Sequence, residues 1–118
     1  MNSWKDLEVW KNSHQLVLKI YILITKLPDN EKYALSDQLK RSAYSIPSNI
    51  VEGHSKSTTK DFLKYLYIAR GSLEELRYFL ILIKDLEYIK IQTYNYFEEK
   101  TTIISKQLNN LIKSLKVQ

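Results

Sequence analysis

The 118-residue chain contains no cysteine, only two glycines, two prolines and two histidines. Without cysteine there is no disulfide scaffold, thiolate zinc site, iron–sulfur cluster or cysteine nucleophile, a composition that fits a reducing compartment. So few glycines and prolines leave little turn chemistry for a many-stranded β sandwich or barrel. His14 and His54 are not spaced as metal ligands, and no thiolate can complete a site between them. Long apolar runs are also missing. The greasiest stretch, Leu16–Leu27, is interrupted by Lys19 and Lys26, well short of the roughly 18 apolar residues of a membrane span. The opening MNSWKDLEVW lacks a basic-then-apolar leader pattern. The expectation is a soluble, cytoplasmic protein with no membrane partner.

What is present is ordinary for a globular chain: 44% hydrophobic and 26% charged residues, in a length that suits one domain over 1–118. Lys and Arg number 18 against 13 Asp and Glu, a net charge of +5. That excess is spread evenly, with no basic tail and no long run of one sign, so charge alone is a weak pointer to nucleic acid.

Apolar residues recur at three- and four-residue steps in four stretches, which predicts four helices over about 5–26, 31–53, 60–86 and 91–115. In the first, the stripe reads Leu7, Trp10, His14, Val17, Tyr21, Ile24. Ser3 and Asp6 stand where a cap is wanted, and Leu27-Pro28 stops the helix. The second carries Leu39, Ala43, Ile46 and Ile50, with Pro47 inside the pattern. A proline there removes a donor and crowds the carbonyl of Ala43, so a kinked helix is expected, with two short helices as the alternative. The third follows a Thr58 or Thr59 cap and has the clearest stripe: Phe62, Leu66, Ala69, Leu73, Leu76, Leu80, Ile83. The fourth, poorly capped, aligns Phe97, Ile104, Leu108, Leu111 and Leu115. Short connections between such helices imply an all-α, up-and-down antiparallel four-helix bundle.

The third helix is apolar beyond its stripe, at Leu63, Ile68, Phe79, Ile81 and Leu82, and the first likewise at Val9, Leu16, Leu18 and Ile22. A helix apolar nearly all round is buried on more than one face. In a small bundle the second face most plausibly meets another copy, and symmetric closure is the default for such assemblies.

Catalytic patterns are missing. There is no Gly-rich phosphate loop, nucleophile elbow or HExxH helix. Glu74 and Glu75, like Glu98 and Glu99, are helix neighbours that point in different directions, and the Glu-x-x-His pairs of di-iron bundles do not occur. The expectation is a non-enzyme without catalytic residues, cofactor or metal. His14, on an apolar stripe, reads as a packed, hydrogen-bonded histidine. The unusual feature is a polar stripe of Arg41, Ser45, Asn49 and Glu52, opposite Leu39 and Ile46, joined by Ser48. Arg70, Glu74 and Arg77 are close enough to pair along one edge of the third helix. A structural network accounts for these most simply, with Arg41 and Glu52 in a solvated or inter-subunit network and the serines on backbone groups freed by Pro47. The other reading is a strip facing a ligand or RNA.

Three segments together resemble a known family. Trp4-Lys5-Asp6-Leu7-Glu8-Val9-Trp10, then Leu39 to Gly53 (LKRSAYSIPSNIVEG), then Phe62 to Leu76 (FLKYLYIARGSLEEL) are similar to the four-helix-bundle proteins encoded in intervening sequences of bacterial 23S ribosomal RNA genes. Val51 departs from the alanine common in that pattern. The resemblance spans nearly the whole chain. It implies an up-and-down bundle assembled into a homopentameric, barrel-like ring, and signature positions Arg41, Ser45, Pro47, Asn49, Glu52, Gly53, Arg70, Gly71, Ser72 and Glu75 with structural or assembly roles. The accessory proteins of diversity-generating retroelements resemble the same family. By that likeness the function is binding of RNA or DNA through the pooled positive charge of the ring. The alternative is a scaffold that docks a partner protein, such as a reverse transcriptase, without touching nucleic acid. Candidate phosphate contacts are Lys40, Lys56, Lys60 and Lys64, around the second connection and its flanking helix ends.

Overall fold

The computed structural model describes residues 3–118. Four helices account for most of it: α1 (Glu8–Ile24), α2 (Leu35–His54), α3 (Thr59–Asp85) and α4 (Ile91–Lys116). Short 3₁₀ turns at Trp4–Asp6 and Asp29–Glu31 precede α1 and α2, and no strand occurs among the described residues. At 1.5 Å per residue α3 spans about 40 Å, most of the 45 Å long axis, so the helices lie along it and the short connections make successive helices antiparallel. Each of α1 and α3 packs on both α2 and α4; α1 and α3 sit diagonally, without contact.

The core stripe of α2 is the one its periodicity predicts: Leu39, Ala43, Ile46 and Ile50 are fully buried. So is that of α3, from Leu66 to Ile83, with Phe62 half-buried at its start. α2 runs unbroken through Pro47, which removes the two-helix alternative.

α1 corrects the sequence reading. Its buried face is Val9, Ser13, Leu16, Ile20 and Leu23, one step round from the predicted stripe. Of that stripe, Trp10, Val17 and Ile24 only flank the core, and His14 and Tyr21 are exposed. His14 is therefore not a packed core histidine; it lies flat on Trp10, with ring centroids 5.3 Å apart and planes 1° from parallel. Two apolar stripes at the same period compete on this helix, and the buried one is disguised by a polar member. Ser13 can be buried because its hydroxyl donates to the Trp10 carbonyl at 3.0 Å. Thr101 does the same in α4, donating to the Phe97 carbonyl at 2.8 Å, and the α4 face shifts to bury Ile112 with Leu111 and Leu115 at its edge.

Helix ends follow local capping chemistry. Ser3 accepts from the Lys5 amide at 3.1 Å, but this caps only the 3₁₀ turn, so α1 starts later than Lys5. Pro28 likewise leads into a separate 3₁₀ turn, and α2 starts at Leu35 instead of Glu31. Thr58 caps α3, its hydroxyl accepting from the Asp61 amide at 3.1 Å. At the far end of α3 the Tyr88 amide reaches the Ile83 carbonyl (2.9 Å) and the Glu87 amide that of Lys84 (2.9 Å), the paired bonds of a glycine-type helix stop. Glu87 holds the left-handed position, φ 62°, where a side chain costs roughly 1–2 kcal/mol. Tyr88 then ties this turn across the end of the bundle, its phenol donating to Glu31 Oε2 at 2.8 Å; that bond, with burial and the carboxylate's charge, raises the phenol pKa above 10.0.

Glu87→Gly is expected to stabilise the protein by about 1 kcal/mol, raising the thermal midpoint by about 4 °C. A thermal scan that shows no rise would mean the left-handed turn is not strained here.

Candidate functional site

The residues of the polar stripe divide between the α2–α3 seam and the surface. At the seam, Ser45 and Ser72 share a hydrogen bond of 2.8 Å between their hydroxyls. Asn49 locks the arrangement from one turn along α2, its side-chain NH₂ donating to the Ser45 carbonyl (2.7 Å) and hydroxyl (3.0 Å). The Ser45 hydroxyl thus serves α3 instead of a backbone group released by Pro47. Nearby, Gly53 lets the two helices close. A Cβ on it would fall 2.7 Å from the Tyr65 Cβ and 3.2 Å from the Phe62 carbonyl oxygen. Both are backbone-fixed atoms that cannot swing aside.

The charged members lie outside this seam. Within the protomer Arg41 pairs with Asp37 at 3.3 Å; Glu52 stands eleven residues on, about 16 Å along the helix. Arg70 donates to Asn109 Oδ1 of α4 at 3.2 Å and rests on the Tyr67 ring. Arg77 bridges Glu74 and Glu98, 3.2 Å from each. Glu52, Gly71 and Glu75 face outward.

The candidate lysines are only partly gathered. Lys60 and Lys64 line an open hollow of about 670 Å³ together with Lys116, Tyr67, Leu115 and Asp61. Lys56 sits at the same end of the bundle, over the Tyr65 ring at 5.2 Å. Lys40 does not join them: it lies sixteen residues back along α2, about 24 Å away, over the Tyr21 ring. Lys116 takes its place, a residue that sequence spacing did not select. The signal for it was topological, since an antiparallel α4 must end beside the start of α3. Among the described residues, none of Lys56, Lys60, Lys64 and Lys116 is in an ion pair. No group of three or more potential metal ligands occurs among the described residues. The arrangement can hold an extended polyanion.

Gly53→Ala should destabilise the fold by about 1–3 kcal/mol through overpacking against backbone, read as a lower urea midpoint with unchanged slope. Unchanged stability would mean that the seam relaxes and is not the close contact described.

Comparison with known proteins agrees with this architecture. A solved structure, a protein of unknown function from the S23 ribosomal protein family of Bacteroides thetaiotaomicron, superposes with a TM-score of 0.83 at 32% identity, covering 89% of this chain and 98% of that one. No curated protein matches the chain. The family description "23S rRNA-intervening sequence protein" matches residues 5–110, a stretch that contains the α2–α3 seam, Lys56, Lys60 and Lys64; the chain belongs to the 23S rRNA-intervening sequence protein family.

Proposed function

We propose that this protein is a non-enzymatic, self-assembling cytoplasmic bundle that binds RNA or DNA along the phosphate backbone. The observation that carries the reading is the cluster of lysines at one end of the bundle, Lys56, Lys60, Lys64 and Lys116, none in an ion pair among the described residues, with Tyr67 beside them. Cations on flexible stems suit phosphates, and an exposed ring beside them suits an unstacked base. Lys40 is too far along α2 to share that contact.

Assembly makes the charge effective. A homopentameric ring, which the family resemblance suggests, would carry about +25 from five copies at +5, a far stronger field than one chain provides. In this reading Pro47 bends α2 at the crowded Ala43 carbonyl, and exposed signature residues such as Gly71 and Glu75 serve assembly. Exposed Leu18, Ile22 and Ile68 also favour a second reading, a scaffold that docks a partner protein and meets nucleic acid only through it.

Titration of structured RNA and duplex DNA at low and moderate salt separates the two. Binding is expected to weaken steeply with salt and to discriminate little among sequences. Lys60→Ala with Lys64→Ala should lower affinity evenly across sequences and reduce the salt slope by about one per lysine engaged. A wild-type protein that ignores both nucleic acids at low salt would overturn the reading and leave the scaffold.

A further inference from the structure

We propose that the lysine-bordered hollow at the end of the bundle is a seat for an unstacked base, so that the protein takes a single strand in preference to a duplex. The inference rests on the nucleic-acid reading and names the form of nucleic acid that the same site selects.

A phosphate backbone needs only cations at a surface, yet this surface is neither flat nor wholly polar. The hollow encloses about 670 Å³, within the roughly 300–1,000 Å³ of sites that hold small molecules. That is room for a nucleoside and far too little for a double helix. Its lining is partly apolar. Leu63 of α3 and Leu115 of α4, both packed against the core, meet there with the exposed ring of Tyr67. A duplex keeps its bases stacked and paired and turns sugars and phosphates outward, so it has nothing to place on two leucines and a phenol ring. An unpaired base is a flat ring that can stack there.

Tyr67 is braced for such a contact. Arg70 lies over its ring, 5.0 Å from the centroid, and is itself tied to α4, donating to Asn109 Oδ1 at 3.2 Å. Arg70 does not line the hollow, so it supports the ring from outside and leaves the space in front of it open.

Charge is divided as a base seat requires. Lys60 and Lys64 stand one helical turn apart on α3, about 6 Å along its axis, with Lys116 facing them from α4. None of the three is in an ion pair among the described residues, and they suit successive phosphates of one extended strand. Asp61 also lines the hollow. Its carboxylate opposes a phosphate that enters, while it can accept a hydrogen bond from the amino edge of a base. Phosphates are kept to the lysine border and the base is admitted.

Charge alone predicts the opposite preference. A duplex carries about one negative charge per 1.7 Å of axis and one strand about half that density, so a merely basic surface favours the duplex. Preference for the single strand therefore reports the ring.

The test is fluorescence anisotropy at low salt with three probes of equal length: a mixed-sequence single strand, the same strand annealed to its complement, and an abasic strand that keeps the phosphates and lacks the bases. Wild type is expected to bind the single strand most tightly. Tyr67→Ala should weaken single-strand binding roughly 5- to 150-fold, the worth of one stacked base, and leave the duplex and the abasic strand unmoved. Tyr67→Phe keeps the ring and should bind like wild type. Circular dichroism checks that each variant keeps its helices. A wild type that binds none of the three probes would overturn the nucleic-acid reading and this inference with it. A wild type that prefers the duplex, or holds the abasic strand equally well, would overturn the base seat and leave phosphate-backbone binding standing. So would a Tyr67→Ala variant that loses affinity equally for all three, since the ring would then serve the fold and not a base.

Discussion

The close approach of α2 to α3 is the constraint on which the other features depend. Two helices can touch through their backbones only where a side chain is absent, and Gly53 supplies that gap against Tyr65 and the Phe62 carbonyl. Once the backbones are this near, polar groups between them must satisfy one another. Ser45, Asn49 and Ser72 do so, and no buried side-chain N or O among the described residues lacks a partner. The hydrogen bonds add only modest net energy, on the order of 1 kcal/mol each. Their larger effect is on register, because sliding α3 along α2 would strand Ser45 and Ser72 and move Tyr65 and the Phe62 carbonyl off Gly53, toward residues that carry side chains. A seam fixed in register fixes in turn which residues of α3 face outward.

The same constraint explains what could be read from sequence and what could not. α2 and α3 carry one dominant apolar stripe each, so the helical period alone identifies Leu39–Ile50 and Leu66–Ile83 as the core. α1 carries two, and hydrophobicity cannot choose between them; the choice is made by Ser13, whose local bond to Trp10 lets a hydroxyl occupy the buried face. Helix starts were misjudged where proline and serine open a 3₁₀ turn instead of the helix itself. The family signature identified Ser45, Asn49, Gly53 and Ser72, but a motif states which residues matter and not which of them touch. Arg41 and Glu52 share one stripe, but within the protomer a side chain reaches only about one turn, and Arg41 finds Asp37. Lys116 was invisible to spacing because its nearness to Lys60 and Lys64 arises from antiparallel packing of segments far apart in the chain.

The two glycines define the division of labour within the signature. In a helix each costs about the same conformational entropy, and a bundle of this size has little stability to spare. Gly53 returns that cost inside the protomer by letting α2 and α3 close. Gly71 returns nothing inside the protomer. Within the protomer it remains an exposed position on α3 whose missing side chain nothing explains.

The position of the Lys60, Lys64 and Lys116 hollow connects assembly to charge, because it lies at the end of the bundle where α3 starts and α4 finishes. A lateral contact between copies would leave that end open. If it repeats by rotation about an axis near the bundle's length, every copy presents the same end on the same rim. The lysines, too few in one protomer to compete with physiological salt, would then act together on one polyanion, and the salt dependence of binding would report on the whole rim.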